Sequence, residues 1–273
     1  MIANLTFIGA GNMASSLIGG LLAKGYPADR ITATDAQPET LERIKNALYI
    51  NTTTDNLEAV NNANAVILAV KPQSMKAVAL ELAPALQKRK PLVISIAAGI
   101  NLSSLEKWLG SGLAIVRCMP NTPALIQQGA TGLFANKNTS EADKTLAQNI
   151  LEAVGLALWL DTENQLDAVT ALSGSGPAYF FLMIEAMEQA GIKLGLNEKT
   201  ARQLTLQTAL GAAAMAQGSS DTPEELRKKV TSPGGTTEQA IHSFQQSKFN
   251  LIVQTAVEAA NARSIGLSSE LGE

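Results

Sequence analysis

Up to about residue 160, short runs rich in aliphatic and β-branched residues alternate with stretches whose apolar positions recur at helical spacing. The runs "LTFIG", "RITAT", "AVILAV", "LVISIAA" and "AIVRCM" predict strands, and "TGLFA" and "ALWLD" extend the series. Several are apolar at successive rather than alternate positions, the pattern of strands covered by helices on both faces and hence of a parallel sheet. Between them, "MASSLIGGLLAKG", closed by Gly25, "PETLERIKNA" and "MKAVALELAPALQK" read as crossover helices. After about residue 163 the strand signal disappears, and "NQLDAVTALSGSGPAYFFLMIEAMEQAGIKLG", "NEKTARQLTLQTALGAAAMAQ" and "NLIVQTAVEAANARSIGL" are helical in period. The expected architecture is α/β followed by all-α. Its domains are 1–162 and 163–273, divided by a change of periodicity without a low-complexity linker. A run of small residues (Ala209, Gly211, Ala212, Ala213, Ala214, Ala216) suits close helix packing, within the chain or between subunits.

Composition narrows the partners. The 273-residue chain has a net charge of -3 and no long basic run, which argues against nucleic acid and anionic membranes and for a small molecule. With one cysteine, Cys118, no intramolecular disulfide is possible, and a cytoplasmic setting is expected. The first residues, "MIANLTFIGAGNMA", have no basic leader, and no segment approaches the ~18 apolar residues that span a bilayer, so a soluble, unprocessed protein is expected. No Cys/His cluster has metal-ligand spacing, so no metal site is expected and zinc-dependent alcohol oxidation is excluded.

"FIGAGNMA" sets Gly9, Gly11 and Ala14 in the G-x-G-x-x-A spacing, directly after a predicted strand and at a helix start. That arrangement suits a dinucleotide: Gly9 permits the tight turn, Gly11 bares the backbone to a pyrophosphate, and the helix N-terminus supplies amides. Asp35, at the end of the second strand, stands where a carboxylate accepts hydrogen bonds from a ribose 2′-hydroxyl. Such an acid favours NAD and repels the 2′-phosphate of NADP, and no arginine follows until Arg43; an ordinary turn residue or helix cap is the other reading. The loop "AVKPQ" (Ala69, Val70, Lys71, Pro72, Gln73), the loop "AAGI" (Ala97, Ala98, Gly99, Ile100) and Asn121 also follow strands, at the sheet edge where open α/β sheets bind ligands.

Acid and base groups are scarce. The one histidine, His242, lies on a predicted helix and reads as a surface or packing residue, and Cys118, without a His partner, as a buried thiol. Reduction of a ketone needs a positioned acid, whereas an imine can enter already protonated and needs mainly orientation and a place for its anionic group. A candidate place is "KKVTSPGGTTEQA", residues 228–240. Thr236 and Gln239 have capping-box spacing, so a helix is expected to start here with the amides of Gly235, Thr236 and Thr237 open to a carboxylate. An interhelical turn capped by threonine fits the same residues.

Taken together, "FIGAGNMA", "AVKPQ", "SIAAG", "MPNTPA", "SGSGPAY" and "VTSPGGTTEQAI", in this order across nearly the whole chain, resemble the pyrroline-5-carboxylate reductases. The resemblance implies reduction of the imine 1-pyrroline-5-carboxylate to L-proline, the last step of proline biosynthesis, by a Rossmann domain with a doubly wound sheet followed by a helical dimerisation domain. It implies a homodimer, extended in some members to a ring of dimers. It assigns Gly9, Ala10, Gly11, Asn12 and Met13 to the pyrophosphate loop, and Asn56, Ala69, Val70, Lys71, Pro72, Ala97, Ala98 and Gly99 to further cofactor contacts. Val230, Ser232, Gly235, Thr236 and Thr237 are implied to surround the substrate, with Thr237 as the catalytic partner of the ring nitrogen. NADPH is the cofactor the resemblance implies; Asp35 points to NADH. Asp221 is left outside the site. β-Hydroxyacid dehydrogenases share the two-domain plan, but the positions of their catalytic lysine and asparagine hold Phe180 and Ile184 here. A non-catalytic redox sensor built on the same scaffold stays open on fold alone.

Overall fold

The computed structural model describes residues 2–272. Two compact units emerge, one formed by the chain up to Ser175 together with the stretch from Ala259, the other by Gly176–Glu258.

The first unit is built on eight strands: β1 (Leu5–Ile8), β2 (Ile31–Thr34), β3 (Asn51–Thr53), β4 (Ala65–Leu68), β5 (Leu92–Ser95), β6 (Ile115–Met119), β7 (Gly129–Ala135) and β8 (Gly155–Trp159). They lie in the order β3-β2-β1-β4-β5-β6-β7-β8, so the sheet reverses its winding between β1 and β4. The helices are α1 (Asn12–Ala23), α2 (Pro38–Leu48), α3 (Asn56–Val60), α4 (Pro72–Arg89), α5 (Leu102–Leu109), α6 (Glu141–Glu152) and α7 (Gln165–Val169). Because side chains alternate across a strand, the unbroken apolar runs feed two cores. Phe7, Ala33, Ile67 and Ile94 meet Leu17, Ile18, Ile44 and Ile150 on one face. Ile8, Val66, Leu68 and Val93 meet Met75, Leu82, Leu86 and Trp108 on the other.

The expected strands are all present, with one addition and one reversal of direction. β3 escaped the pattern because Asn-Thr-Thr at a sheet edge is exposed or half-buried and has no apolar run to announce it. β7 is antiparallel to β6, where a wholly parallel sheet was expected. Only a short 3-10 turn, Thr122–Ile126, joins the two, and a parallel return needs a crossover of a dozen or more residues.

The other unit is helical throughout: α8 (Gly176–Lys193), α9 (Glu198–Gly218), α10 (Pro223–Lys229), α11 (Thr236–Gln246) and the first part of α12 (Phe249–Leu271). It leaves much apolar surface uncovered: Phe180, Phe181 and Leu182 on α8 are each 65–71% exposed, and Leu210 and Met215 on α9 are more than half exposed. Exposed large apolar side chains gathered on a helix mark contact surfaces.

The change of periodicity at residue 162/163 and the division by packing are different quantities. Residues past 163 are helical yet hold to the sheet unit: Glu163 pairs with the Arg117 guanidinium and accepts the Leu102 amide (2.6 Å), and Ser264 on α12 donates to Asp167 (2.7 Å). Phe7, wholly buried at the centre of β1, ties the larger core together. Phe7→Ala is expected to lower unfolding stability by about 3–5 kcal/mol, read from the shift in denaturant midpoint at unchanged slope.

Candidate functional site

Of the residues singled out in the first half of the sequence, Gly9–Met13, Asp35, Ala69–Pro72 and Ala97–Gly99 lie at the carboxyl ends of β1, β2, β4 and β5, whereas Asn56 follows β3 and Asn121 follows β6. At Gly9 the backbone takes φ +99°, and a Cβ there would lie 2.7 Å from the Ala69 carbonyl oxygen. Glycine is thus required twice, by the left-handed backbone and by the closeness of the adjoining strand's end. At Gly11, the N-cap of α1, an added Cβ would meet nothing within 4 Å. The amides of Asn12, Met13 and Ala14, in the first turn of α1, have no intrahelical acceptor and face this space with the positive end of the helix dipole behind them. Such a donor set, with room in front of it, fits the pyrophosphate of a dinucleotide.

Asp35 is positioned by two backbone bonds: its Oδ2 accepts from the Ala10 amide (3.0 Å) and its Oδ1 from the Gln37 amide (3.0 Å). Next to it, the buried Thr34 hydroxyl donates to the Asn56 side chain (2.6 Å), whose amide reaches Glu81 at 3.4 Å. Ala69 is fixed by its amide on the Ile8 carbonyl (2.8 Å), after which Val70 and Lys71 lead into α4, with Pro72 as its first residue. Ala97 and Gly99 are buried and Ala98 half-buried. Gly99, at φ +73°, packs against Leu267 and Leu271 of α12, which gives this glycine a packing role of its own. Asn121 spans two backbones, donating to the Ser173 carbonyl (2.9 Å) and accepting from the Ala130 amide (2.8 Å). It thereby holds the π-helical turn Thr170–Gly174 that precedes α8.

In the helical unit, residues 230–237 form the break between α10 and α11. A capping box of Thr222 and Glu225 starts α10, and Asp221 accepts from Lys229 (2.5 Å) at its other end. Gly234 takes φ +72°, and a Cβ on Gly235 would lie 3.0 Å from the Ser232 carbonyl oxygen, so both glycines are dictated by the turn. The expected cap is corrected: Gly235 is the N-cap of α11, and Thr236 is already its first helical residue, with no side-chain cap bond present. Nor is the Gly235 amide open, because it donates to Ser232 (3.0 Å). The open donors are instead the first-turn amides of Thr236, Thr237 and Glu238. Val230, Ser232 and Thr236 are exposed and Thr237 half-buried. Sequence reasoning passed over Glu238, whose carboxylate accepts from the Gly234 amide (2.8 Å) and closes the turn. Its signal was there, as an acid in the first turn of a predicted helix.

Two other groups are set aside by their surroundings. Burial pushes the Cys118 thiol far up, only partly offset by neighbouring Arg117, so it is no nucleophile. His242 is exposed on α11 and engages Gln246 at 2.8 Å.

Two family models match separate parts of the chain. Residues 163–267 match the family model of pyrroline-5-carboxylate reductase dimerisation, and residues 4–99 one described as NADP oxidoreductase, coenzyme F420-dependent. The pyrroline-5-carboxylate reductase of Pseudomonas aeruginosa is 57% identical over 269 residues, 98% of each chain. The chain belongs to the pyrroline-5-carboxylate reductase family. A solved reductase of this family from Coxiella burnetii superposes with a TM-score of 0.95 at 46% identity, covering 98% of this chain and 99% of that one. The Plasmodium falciparum enzyme, solved with NADP bound, gives 0.85 at 32%, covering 97% and 98%. The fold is the Rossmann-like sheet with a helical C-terminal part common to these reductases.

The two loop glycines should respond differently to a methyl group. Gly9→Ala is expected to lower stability by about 1–3 kcal/mol, through strain and collision with Ala69. Gly11→Ala should stay within about 0.5 kcal/mol of the parent, since its Cβ enters open space. Parallel denaturant titrations check both.

Proposed function

We propose that this chain catalyses the NAD(P)H-dependent reduction of 1-pyrroline-5-carboxylate to L-proline, the last step of proline biosynthesis. Near-full-length similarity to enzymes of that name supports the reading. The observation that carries it in this chain is the start of α11, a glycine-capped helix N-terminus with first-turn amides open beside the half-buried Thr237. Those amides suit the carboxylate of an imino acid.

A reduced nicotinamide bound at the carboxyl edge of the sheet would supply the hydride that the imine carbon accepts. Asn12 and Met13 would hold the pyrophosphate through their backbone amides, with Gly11 leaving room for it and Gly9 and Ala10 shaping the turn, their own amides being bonded to Thr34 and Asp35. Asp35 would receive the ribose hydroxyls, and Asn56, Ala69–Pro72 and Ala97–Gly99 would line the rest of the cofactor site. The amides of Thr236 and Thr237, with Gly235 as cap and Val230 and Ser232 beside them, orient the substrate carboxylate. Thr237 Oγ1 hydrogen-bonds the ring nitrogen; as an ordinary alcohol it orients and relays and is not a strong acid. An iminium arrives carrying its proton, so the scarcity of acids and bases matches the chemistry.

The segment 1–162 serves as the dinucleotide-binding domain and 163–273 as the substrate and dimerisation domain. The exposed apolar faces of α8 and α9 fit a homo-oligomer built on a homodimer, with a ring of dimers as the larger assembly. Among the described residues no helix is long and apolar enough to cross a membrane. The enzyme acts in the cytoplasm.

Mixing the purified protein with pyrroline-5-carboxylate and reduced cofactor should consume the nicotinamide absorbance and yield proline; no oxidation of either NADH or NADPH would sink the proposal. Thr237→Ala should lower kcat/KM for the imine by about 10–100-fold with cofactor affinity unchanged. Normal turnover in that variant would remove Thr237 from its role.

A further inference from the structure

We propose that Glu163 and the last turn of α12 are positioning residues for the loop Ala97–Gly99, so that cofactor affinity is set in part by residues from the C-terminal half of the chain. The inference rests on the cofactor site proposed above. Between β5 and α5 the chain has little of its own to shape it: among the described residues no acceptor meets the amides of Ala97, Ala98 or Gly99. Such open amides are free for a ligand, but a loop without bonds of its own takes its shape from what packs on it.

The contacts that supply this shape come from beyond residue 162. The Glu163 carboxylate accepts the amide of Leu102, the first residue of α5 and the next element after the loop, at 2.6 Å. The same oxygen pairs with the guanidinium of Arg117, which is buried on β6 beside β5, so the acceptor is pinned to the sheet. That bond is not needed to start the helix, because Asn101 already caps α5 through the Ser104 amide (2.8 Å). What it adds is placement of the loop's exit. Gly99 itself lies under α12: a Cβ there would come within 3.3 Å of both Leu267 and Leu271. At the end of that helix the Gly272 carbonyl accepts the Ser104 hydroxyl (2.9 Å). Glu163 anchors one end of the loop, and α12 closes over its glycine.

The test measures binding of NADPH and of NADH to the intact protein by calorimetry, beside steady-state kinetics and the unfolding midpoint. Glu163→Ala removes both the acceptor for Leu102 and the partner of Arg117. Its dissociation constants for the cofactors should rise about 5–20-fold, with kcat at saturating cofactor and KM for the imine within about twofold of the parent. Glu163→Gln keeps a carbonyl oxygen for the Leu102 amide and loses the charge pair. It should therefore lose stability as the alanine variant does, yet bind cofactor within about twofold of the parent. Leu271→Ala leaves Glu163 in place and opens the cover over Gly99; it should weaken cofactor binding by about threefold or more, and it decides the question even if Glu163→Ala does not fold. If the variants bind cofactor like the parent and only their unfolding midpoints fall, these residues hold the fold alone and the positioning role is wrong. Equal weakening in Glu163→Ala and Glu163→Gln would assign the effect to the Arg117 pair and overturn the role given to the Leu102 amide. If neither cofactor binds the parent protein, the cofactor site itself is wrong and this inference falls with it.

Discussion

The close approach of Gly9 to the Ala69 carbonyl is the constraint on which the sheet unit's chemistry depends. β1 and β4 are neighbours although they are not consecutive, and at their carboxyl ends the chain must leave both strands within a few ångströms of one another. A side chain at residue 9 would push the two loops apart. Without one, the turn from β1 to α1 stays tight, α1 starts at the sheet edge, and its first amides face the space before Gly11. The two cores on either face of the sheet hold this edge rigid. The Asp35–Ala10 bond then joins the end of β2 to the same turn.

The helical unit solves a similar problem with different residues. Here the turn is Pro-Gly-Gly, the helix is capped by a glycine, and the loop is closed by backbone bonds and by Glu238. Both places present unpaired amides at the start of a helix, which bind anions without an ionisable side chain. That suits a reaction in which hydride transfer to an iminium needs orientation more than proton transfer. It also accounts for a chain whose one cysteine is a deeply buried thiol and whose one histidine lies exposed on a helix surface.

Much of this was legible in the sequence because unbroken apolar runs have few alternatives to buried parallel strands. The glycine loop was legible because its spacing, preceding strand and following helix all agree. The edge strand β3 was not, since Asn-Thr-Thr buries too little apolar surface to leave a signal. The reversal at β7 depends on the length of the connection from β6, which hydrophobic pattern does not encode. In the stretch Gly235-Thr236-Thr237-Glu238, cap preferences allow the helix to start at adjacent residues. The requirement for glycine against Ser232 moves the start one residue earlier than the threonine pattern suggested. The double engagement of Asp35 was invisible because its partner, Ala10, lies 25 residues away in sequence.

The central claim is that backbone amides at the start of α11 receive the carboxylate of the substrate and product. It is tested most directly by amide chemical shifts in the isotope-labelled protein, followed as L-proline is added in the presence of oxidised cofactor. The resonances of Thr236 and Thr237 should move downfield and saturate together, while those of Gly234 and Gly235, already bonded to Glu238 and Ser232, move less. Saturable binding of proline with the Thr236 and Thr237 amides unmoved would contradict the account.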